Sequence, residues 1–231
     1  MKRFTAALFT MWHLVQAHGA TSVQQLEIFR DSKSIKGWRA VNDGVMGGLS
    51  EGGAAWSGRG LRFAGNLSLE NNGGFSSIRK QWKLDLSGFD GIRLRVRGDG
   101  REYQLRCNTN ERFRGWPVSF SGSFRTRSKE WVEVEIPFAE LKQSFRGLRL
   151  RNYPFDPGRI EMVGLMLADK RPGPFSIEVE WIQAYQSPET GSTASDSSGR
   201  PVTEAFRQNS QAQRDDRAAV AASVSKTAGF R

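Results

Sequence analysis

Residues 92–97 of this 231-residue chain have the sequence Ile-Arg-Leu-Arg-Val-Arg, in which apolar and basic side chains alternate strictly. An alternation with a period of two places successive side chains on opposite faces of a β-strand. Ile92, Leu94 and Val96 are therefore predicted to face a core, and the three arginines to face outward. This stretch predicts a strand with one apolar and one basic face.

The same pattern recurs further along the chain. Residues 131–136 (WVEVEI) alternate with acids outside, residues 175–181 (FSIEVEW) do so again, and residues 163–167 (VGLML) are apolar on both faces, as in a central strand. Glycine- and asparagine-rich turn sequences separate the runs, and no long amphipathic helix is apparent. Many short strands with regular turns predict an all-β sandwich or barrel over residues 24–186.

The two ends of the chain differ from this central part. Residues 1–20 begin with Lys2 and Arg3 and continue with a mostly apolar run, which fits a signal for export. The first 26 residues also lack acids, as a mitochondrial presequence would. An exported, periplasmic protein is thus the first expectation and a mitochondrial one the alternative, with a plain frayed N-terminus as the third interpretation.

The C-terminal segment, residues 187–231, is rich in Ser, Thr, Gly, Ala and Gln. Such a composition buries too little apolar area to offset the entropy of ordering, so a disordered tail is predicted. No apolar run approaches the roughly 18 residues that a membrane span needs, so no transmembrane span is expected.

The cysteine and histidine content excludes several kinds of catalytic and metal site from the central domain. The chain has one cysteine, Cys107, and two histidines, His13 and His18, both within the first 20 residues. An intramolecular disulfide, a Ser-His-Asp triad and a His-ligated metal are thereby excluded from the central domain. We therefore predict a non-enzyme without catalytic residues, metal or cofactor.

The net charge is +10, and most of the excess lies within residues 21–186. Such a surface favours an acidic partner, an anionic lipid surface or nucleic acid, although it is also compatible with ordinary solubility. Aromatic and basic residues do not combine into a known nucleic-acid-binding signature, so no nucleic acid is expected as a partner.

Several sequence blocks resemble the complex I intermediate-associated protein 30 family. They are residues 38–50 (WRAVNDGVMGGLS), 63–79 (FAGNLSLENNGGFSSIR), 85–92 (DLSGFDGI), 96–103 (VRGDGREY), 136–138 (IPF), 145–147 (FRG) and 173–182 (GPFSIEVEWI). The blocks stand in family order over residues 27–185, and the first two are quite specific even singly.

The resemblance implies a jelly-roll β-sandwich of the galactose-binding-domain-like type. It also implies a non-catalytic, chaperone-like assembly factor that binds proteins. This role is best understood for mitochondrial members that help assemble respiratory complex I (NADH:ubiquinone oxidoreductase). Respiratory-complex subunits or assembly intermediates are the partners that it implies. It supplies no catalytic residues to carry over.

The first family block contains a loop with two interpretations. In one, Asp43 is a charged contact to a partner, while Asn42, Gly44, Gly47 and Gly48 hold the shape of the backbone. In the other, the Asn and Asp side chains cap their own backbone and the loop is purely structural. Gly73 and Gly74, in the second block, are predicted to belong to a hairpin connection.

The arginines of the opening stretch, Arg93, Arg95 and Arg97, form a second candidate site. Their planar guanidinium groups suit an acidic partner or a phosphate. This arginine row would be extended by Arg101, Arg106, Arg149 and Arg151. Alternatively, the row pairs with acids of neighbouring strands, for which the candidates are Glu133, Glu135, Glu178 and Glu180.

A third candidate is Trp116, which lies beside Pro117 in an arginine-flanked, loop-like stretch. Modules that bind sugars stack exposed tryptophans on sugar rings, whereas packing at the core or edge of the sandwich is the plain alternative. The implied jelly-roll fold and the possible export signal motivate the alternative function, a carbohydrate-binding module of an exported protein with a glycan as ligand.

Overall fold

A computed structural model describes residues 22–187 of the chain as a sandwich of two antiparallel β-sheets. The predicted leader at residues 1–20 lies outside the described residues, as does the predicted tail apart from its first residue. The all-β fold expected from the alternating strands is confirmed.

Thirteen strands build the sandwich. They are β1 (Val23–Ile28), β2 (Arg39–Asn42), β3 (Glu51–Trp56), β4 (Leu61–Leu67), β5 (Ser76–Leu84), β6 (Gly91–Arg97), β7 (Glu102–Phe113), β8 (Trp116–Arg125), β9 (Trp131–Pro137), β10 (Lys142–Phe145), β11 (Leu148–Arg149), β12 (Ile160–Leu167) and β13 (Gly173–Tyr185). Within residues 22–187 the helical elements are four short 3₁₀ turns, at Asp43–Met46, Glu70–Asn72, Phe138–Glu140 and Pro157–Arg159. No helix in this part of the chain is long and apolar enough to cross a bilayer.

Strand order defines two sheets. Sheet A has the order β3-β4-β13-β6-β9, with β1 also paired to β13, and sheet B has the order β11-β10-β8-β7-β12-β5-β2. The stretch predicted to be a central strand, residues 163–167, lies in β12 between β7 and β5, as expected. The hairpin predicted around Gly73 and Gly74 is wrong, because β4 and β5 belong to different sheets and the segment crosses between them.

The core lies between the two sheets. Ile92, Leu94 and Val96 are fully buried, as their alternation predicts. Their neighbours in the core include Phe63, Ile177 and Val179 from sheet A and Ile78, Tyr103, Leu105, Cys107, Phe120 and Leu165 from sheet B. Burial of this apolar surface is the main force that holds the sheets together, at about 25 cal/mol per Å².

Register fixes which loops share an end of the molecule. Leu167 pairs with Ser76 on one side and Tyr103 on the other, and Asn42 pairs with Ser76 as well. The loops after β2 and before β5 therefore meet at one end of sheet B. The turn between β7 and β8 lies at the opposite end, beyond the pairing of Ile160 with Leu84.

Candidate functional site

Two segments of the family blocks, residues 43–49 and 68–74, are joined by one buried carboxylate; we call them the signature loops. Asp43 is 0% exposed. Its Oδ1 accepts a hydrogen bond from the Ser50 amide at 2.9 Å, and its Oδ2 accepts from the Ser50 hydroxyl at 2.5 Å. Oδ2 also accepts from the amides of Gly74 at 2.6 Å and Phe75 at 3.2 Å. A single side chain therefore fixes both loops.

These contacts correct the expectation that Asp43 touches a partner. Burial by itself would raise the pKa of Asp43, but the hydrogen bonds from Ser50, Gly74 and Phe75 outweigh it and hold the pKa below its usual value. The carboxylate is therefore charged and satisfied internally, and it offers no surface to another molecule. Asp43 anchors the signature loops.

The glycines of the loops serve this anchor in two ways. A Cβ atom on Gly48 or Gly73 would collide with the Asp43 carboxylate, so these two positions require close approach. Gly47 and Gly74 have φ values of 88° and 128°, in the region that favours glycine. Gly44 has open space around it and an ordinary φ, so its predicted role in holding the loop is not required by the structure.

Asn42, also predicted to hold the loop, connects it to both flanking strands. Its Nδ2 donates to the Gly52 carbonyl at 3.1 Å, and its Oδ1 accepts from the Ser76 hydroxyl at 2.7 Å. The side chain therefore ties β2 to β3 and β5, and so bridges the two sheets.

Around this polar anchor the signature loops display four exposed apolar side chains, which we call the apolar rim. Val45 is 75% exposed, Met46 60%, Leu49 52% and Leu69 43%. Because contiguous exposed apolar patches mark interaction sites, these four side chains make the signature loops a candidate interaction surface. Sequence reasoning missed them, although apolar residues between glycines in a turn-rich block were an available signal.

The predicted arginine row lies on the outward face of sheet A and is paired with acids. Arg93 contacts Glu135 at 2.5 Å, Arg95 contacts Glu180 at 2.7 Å and Arg97 contacts Glu178 at 2.5 Å, with Glu133 3.7 Å from Arg95. A partner would have to displace these carboxylates, which disfavours the row as a binding surface.

The predicted extensions of the row lie elsewhere. Arg101 is only 6% exposed and contacts Asp169 at 2.6 Å, so it is a buried structural group. Arg149 belongs to β11 at the edge of sheet B, and Arg151 follows it outside the strands. Arg106 lies on the outward face of sheet B.

On that face Arg106 and Arg79 stand on either side of Gly164. Among residues 22–187 no carboxylate forms an ion pair with either guanidinium. Burial, reinforced by the charge of Arg79, lowers the pKa of Arg106 to about 10, and burial also lowers the pKa of Arg79. We call these two residues the arginine pair.

Trp116 is the first residue of β8, directly after the turn from β7 and not in a loop as predicted, and it is 57% exposed. The guanidinium of Arg146 stands 5.4 Å from the ring centroid, so one face of the ring already has a cationic neighbour. Leu148 is exposed to the same extent nearby on β11. Trp116 is therefore available to a ligand, and its predicted role in stacking on a sugar stays a prediction.

Within residues 22–187, the one thiol is unreactive and the acidic side chains do not form a metal site. Cys107 is fully buried, and burial raises the pKa of its thiol to about 12, so the reactive thiolate is not formed near pH 7. Within residues 22–187 no cluster of three or more His, Cys, Asp or Glu side chains has a geometry that could hold a metal ion.

Two antiparallel sheets in this arrangement define a jelly-roll β-sandwich of the galactose-binding-like class. A family 11 carbohydrate-binding module from Clostridium thermocellum, solved with a mixed-linked tetrasaccharide, superposes with a TM-score of 0.53 at 15% identity, over 71% of this chain and 96% of that one. The family 11 module of a cellulosomal cellulase from the same organism gives 0.54 at 16% identity, over 75% and 99%. At such low identity these likenesses show the fold alone.

The sequence profile described as complex I intermediate-associated protein 30 matches residues 28–179, and the chain belongs to that family. The "Complex I intermediate-associated protein 30, mitochondrial" of Mus musculus is 28% identical over 182 residues, which is 69% of this chain and 55% of the relative. A "Probable complex I intermediate-associated protein 30, mitochondrial" of Caenorhabditis elegans is 28% identical over 123 residues, 52% of this chain and 36% of the relative. The chain thus spans about half or less of the length of these curated relatives.

Proposed function

We propose that this protein is a non-catalytic assembly factor for respiratory complex I that acts by binding protein partners. The observation that carries the proposal is the family match over residues 28–179, which is nearly the whole sandwich. The mouse and nematode relatives are named for association with an intermediate of complex I. The inert thiol of Cys107 is consistent with a binding role rather than a catalytic one.

The apolar rim is the surface that we assign to this binding. It lies within the two most specific family blocks, and the Asp43 anchor holds its loops in one shape before any partner arrives. A loop that is already ordered loses less conformational entropy on binding, so more of its apolar contact energy appears as affinity. The partner that fits is a complex I subunit whose apolar surface is still uncovered during assembly.

Affinity capture tests the assignment in cells that assemble complex I and lack their own copy of the protein. The full chain carrying Met46→Ser and Leu49→Ser is compared with a control carrying Trp116→Ser and Leu148→Ser. Each variant removes two exposed apolar side chains, but from opposite ends of sheet B. We expect the rim variant to recover at least about tenfold less complex I subunit, as when two interface anchors are removed.

The readout on native gels is the amount of finished complex I. The rim variant should accumulate unfinished intermediates, whereas the control should restore normal assembly. Equal capture by the two variants would reject the apolar rim as the binding surface. Normal complex I in cells that lack the protein altogether would reject the assembly role.

For localisation we propose the mitochondrial alternative over export, because the mouse and nematode relatives are both named mitochondrial. The carbohydrate-binding alternative gains no support from structural likeness at 15–16% identity. Fractionation of cells that produce the full chain should recover the protein with complex I. Recovery in the exported fraction alone would contradict both the localisation and the assembly role.

A further inference from the structure

Strand register brings two arginines to one point on the outward face of sheet B. Gly164 in the middle of β12 pairs with Arg79 of β5 on one side and with Arg106 of β7 on the other. Neighbouring strands lie about 4.8 Å apart, so the backbones of β5 and β7 are about 10 Å apart. No side chain separates the arginines, because the residue between them is glycine.

Gly164 is buried and lies beneath the side chain of Arg79. A Cβ atom there would lie 3.1 Å from Cγ of Arg79 and 2.7 Å from the Ile78 carbonyl oxygen. The stem of Arg79 therefore runs across the glycine. Any larger residue would push Arg79 aside.

The arginine pair has no anionic partner within residues 22–187. The polar contacts of the Arg106 guanidinium are the Ser119 hydroxyl, at 2.9 Å from Nε and 2.5 Å from Nη2, and the Met166 sulfur, at 2.7 Å from Nη1. Both arginines are half-buried. A buried charge normally has a partner of opposite sign, so this arrangement is costly as it stands.

The surrounding row of side chains extends the positive field. Ser121 pairs with Arg106 and Lys142 pairs with Ser121, while Arg39 pairs with Arg79 at the other edge. The cross-sheet row is therefore Lys142, Ser121, Arg106, Gly164, Arg79 and Arg39, with four cations and no acid. Within the described chain neither Lys142 nor Arg39 forms an ion pair.

We infer that Arg79 and Arg106, on either side of Gly164, together bind a phosphate monoester group on the outward face of sheet B. A phosphate monoester carries a charge of about −1.5 to −2 at neutral pH and has three acceptor oxygens, so it can accept from two guanidiniums at once. The planar donor fork of arginine matches this geometry, and serine hydroxyls supply neutral donors beside it. The group could be carried by a free metabolite or by a phosphoserine of a protein. The inference is independent of the assembly role.

Calorimetric titration of the full chain with phenyl phosphate tests the site, with acetate as a singly charged control. The variant carries Arg79→Gln and Arg106→Gln, and its matched control carries Arg93→Gln and Arg97→Gln. Both lose two positive charges, but the second pair comes from the acid-paired row of sheet A. We expect affinity for phenyl phosphate to fall at least tenfold in the first variant and to stay within twofold in the second.

A second measurement uses the unmodified chain, so it does not depend on how a variant folds. In ¹⁵N spectra, phenyl phosphate should shift the Nε–H signals of Arg79 and Arg106 and leave those of Arg93 and Arg97 in place. Absence of binding, equal loss in both variants, or equal affinity for acetate would each overturn the inference. A phosphoserine peptide that binds more tightly than phenyl phosphate identifies a protein-borne phosphate, and equal affinity identifies a free one.

Discussion

On the outward face of sheet A, Arg93, Arg95 and Arg97 stand opposite glutamates of β9 and β13, whereas on sheet B the arginine pair stands among serine, glycine and methionine. All five arginines occupy outward positions of alternating strands, yet their surroundings differ completely. On sheet A the guanidinium groups cross-link neighbouring strands. On sheet B they remain available to an anion. What a charged residue does on a sheet depends on the strands that flank it.

Asp43 is an example of a charge that is fully compensated by hydrogen bonds inside the domain. It is fully buried like the core side chains, yet it is charged and accepts hydrogen bonds on both oxygens. Arg101 and Asp169 form a similar internal group, in which hydrogen bonds from Arg101 outweigh the effect of burial and lower the pKa of Asp169. The molecule thus ranges from charges fully compensated inside the domain to charges compensated by nothing in its described part.

The largest effect on the free energy of unfolding should come from Asp43→Asn, which removes the charge that the hydrogen bonds of the signature loops compensate. The amide keeps the size of the side chain, but in either orientation its NH₂ group would face an N–H donor, that of Ser50 or those of Gly74 and Phe75. We expect a loss of about 3 kcal/mol in the free energy of unfolding, the scale of charge-assisted hydrogen bonds left unmade. Urea denaturation followed by tryptophan fluorescence measures it.

The control is Asp31→Asn, because Asp31 also accepts from two backbone amides, those of Lys33 and Ser34, but in an exposed turn. It should cost less than about 1 kcal/mol, the range of an exposed cap. Equal losses for the two variants would show that burial does not make the Asp43 anchor special.

A second effect concerns pH. Because the pKa of Asp43 is lower in the folded protein than its ordinary value of 3.8, the unfolded chain binds more protons in this range. The stability that Asp43 contributes is complete above pH 3.8 and is lost as the pH falls through its folded pKa. The difference in unfolding free energy between the unmodified chain and Asp43→Asn should therefore shrink below about pH 4. A constant difference down to pH 2 would contradict this.

A smaller effect is expected for Glu178→Gln on sheet A, which leaves Arg97 without its partner. The Glu178 side chain is 15% exposed and that of Arg97 is 37% exposed, so solvent screens the pair only in part. We expect a loss of about 1 kcal/mol, near the upper end for partly exposed ion pairs. A double-mutant cycle with Arg97→Gln should return a coupling energy of the same size. A coupling of zero would mean that the row is ordinary solvated charge.

The smallest effect should be that of Arg106→Gln on sheet B, measured without phosphate. The substitution removes an uncompensated charge, and the glutamine amide can still donate to Ser119. Unfolding free energy should stay unchanged or rise by up to about 0.5 kcal/mol, opposite in sign to Glu178→Gln. A loss above about 1 kcal/mol would show that Arg106 stabilises the sheet and would erase the contrast between the two faces.

The strands themselves were predictable because their signal is local. The alternation at residues 92–97, 131–136 and 175–181 predicts β6, β9 and β13, and in β6 and β9 it also identifies which side chains face the core. In β13 it does so only as far as Val179, because a register shift then places Trp181 opposite the outward-facing Arg95. The resemblance carried by the family blocks adds the jelly-roll type of the sandwich. Together they determine the fold class before any coordinate is known.

Pairing between strands was not predictable in the same way. Arg97 and Glu178 are 81 residues apart in sequence, and Arg79 meets Arg106 only because β12 lies between their strands. The role of Asp43 likewise depends on an amide 31 residues away, that of Gly74. Sequence patterns reveal which face a side chain occupies, whereas its neighbours on that face follow from topology.

The burial of Cys107 has a practical consequence for spectroscopy. It is the single cysteine of the chain, and a thiol with a pKa of about 12 in the core reacts negligibly with maleimide dyes near pH 7. A cysteine introduced at Val45 would thus take up one fluorophore on the apolar rim while the native thiol stays unlabelled. The buried Cys107 thiol would become reactive only when the sheets separate. Its rate of labelling would therefore report the rate at which the sandwich opens.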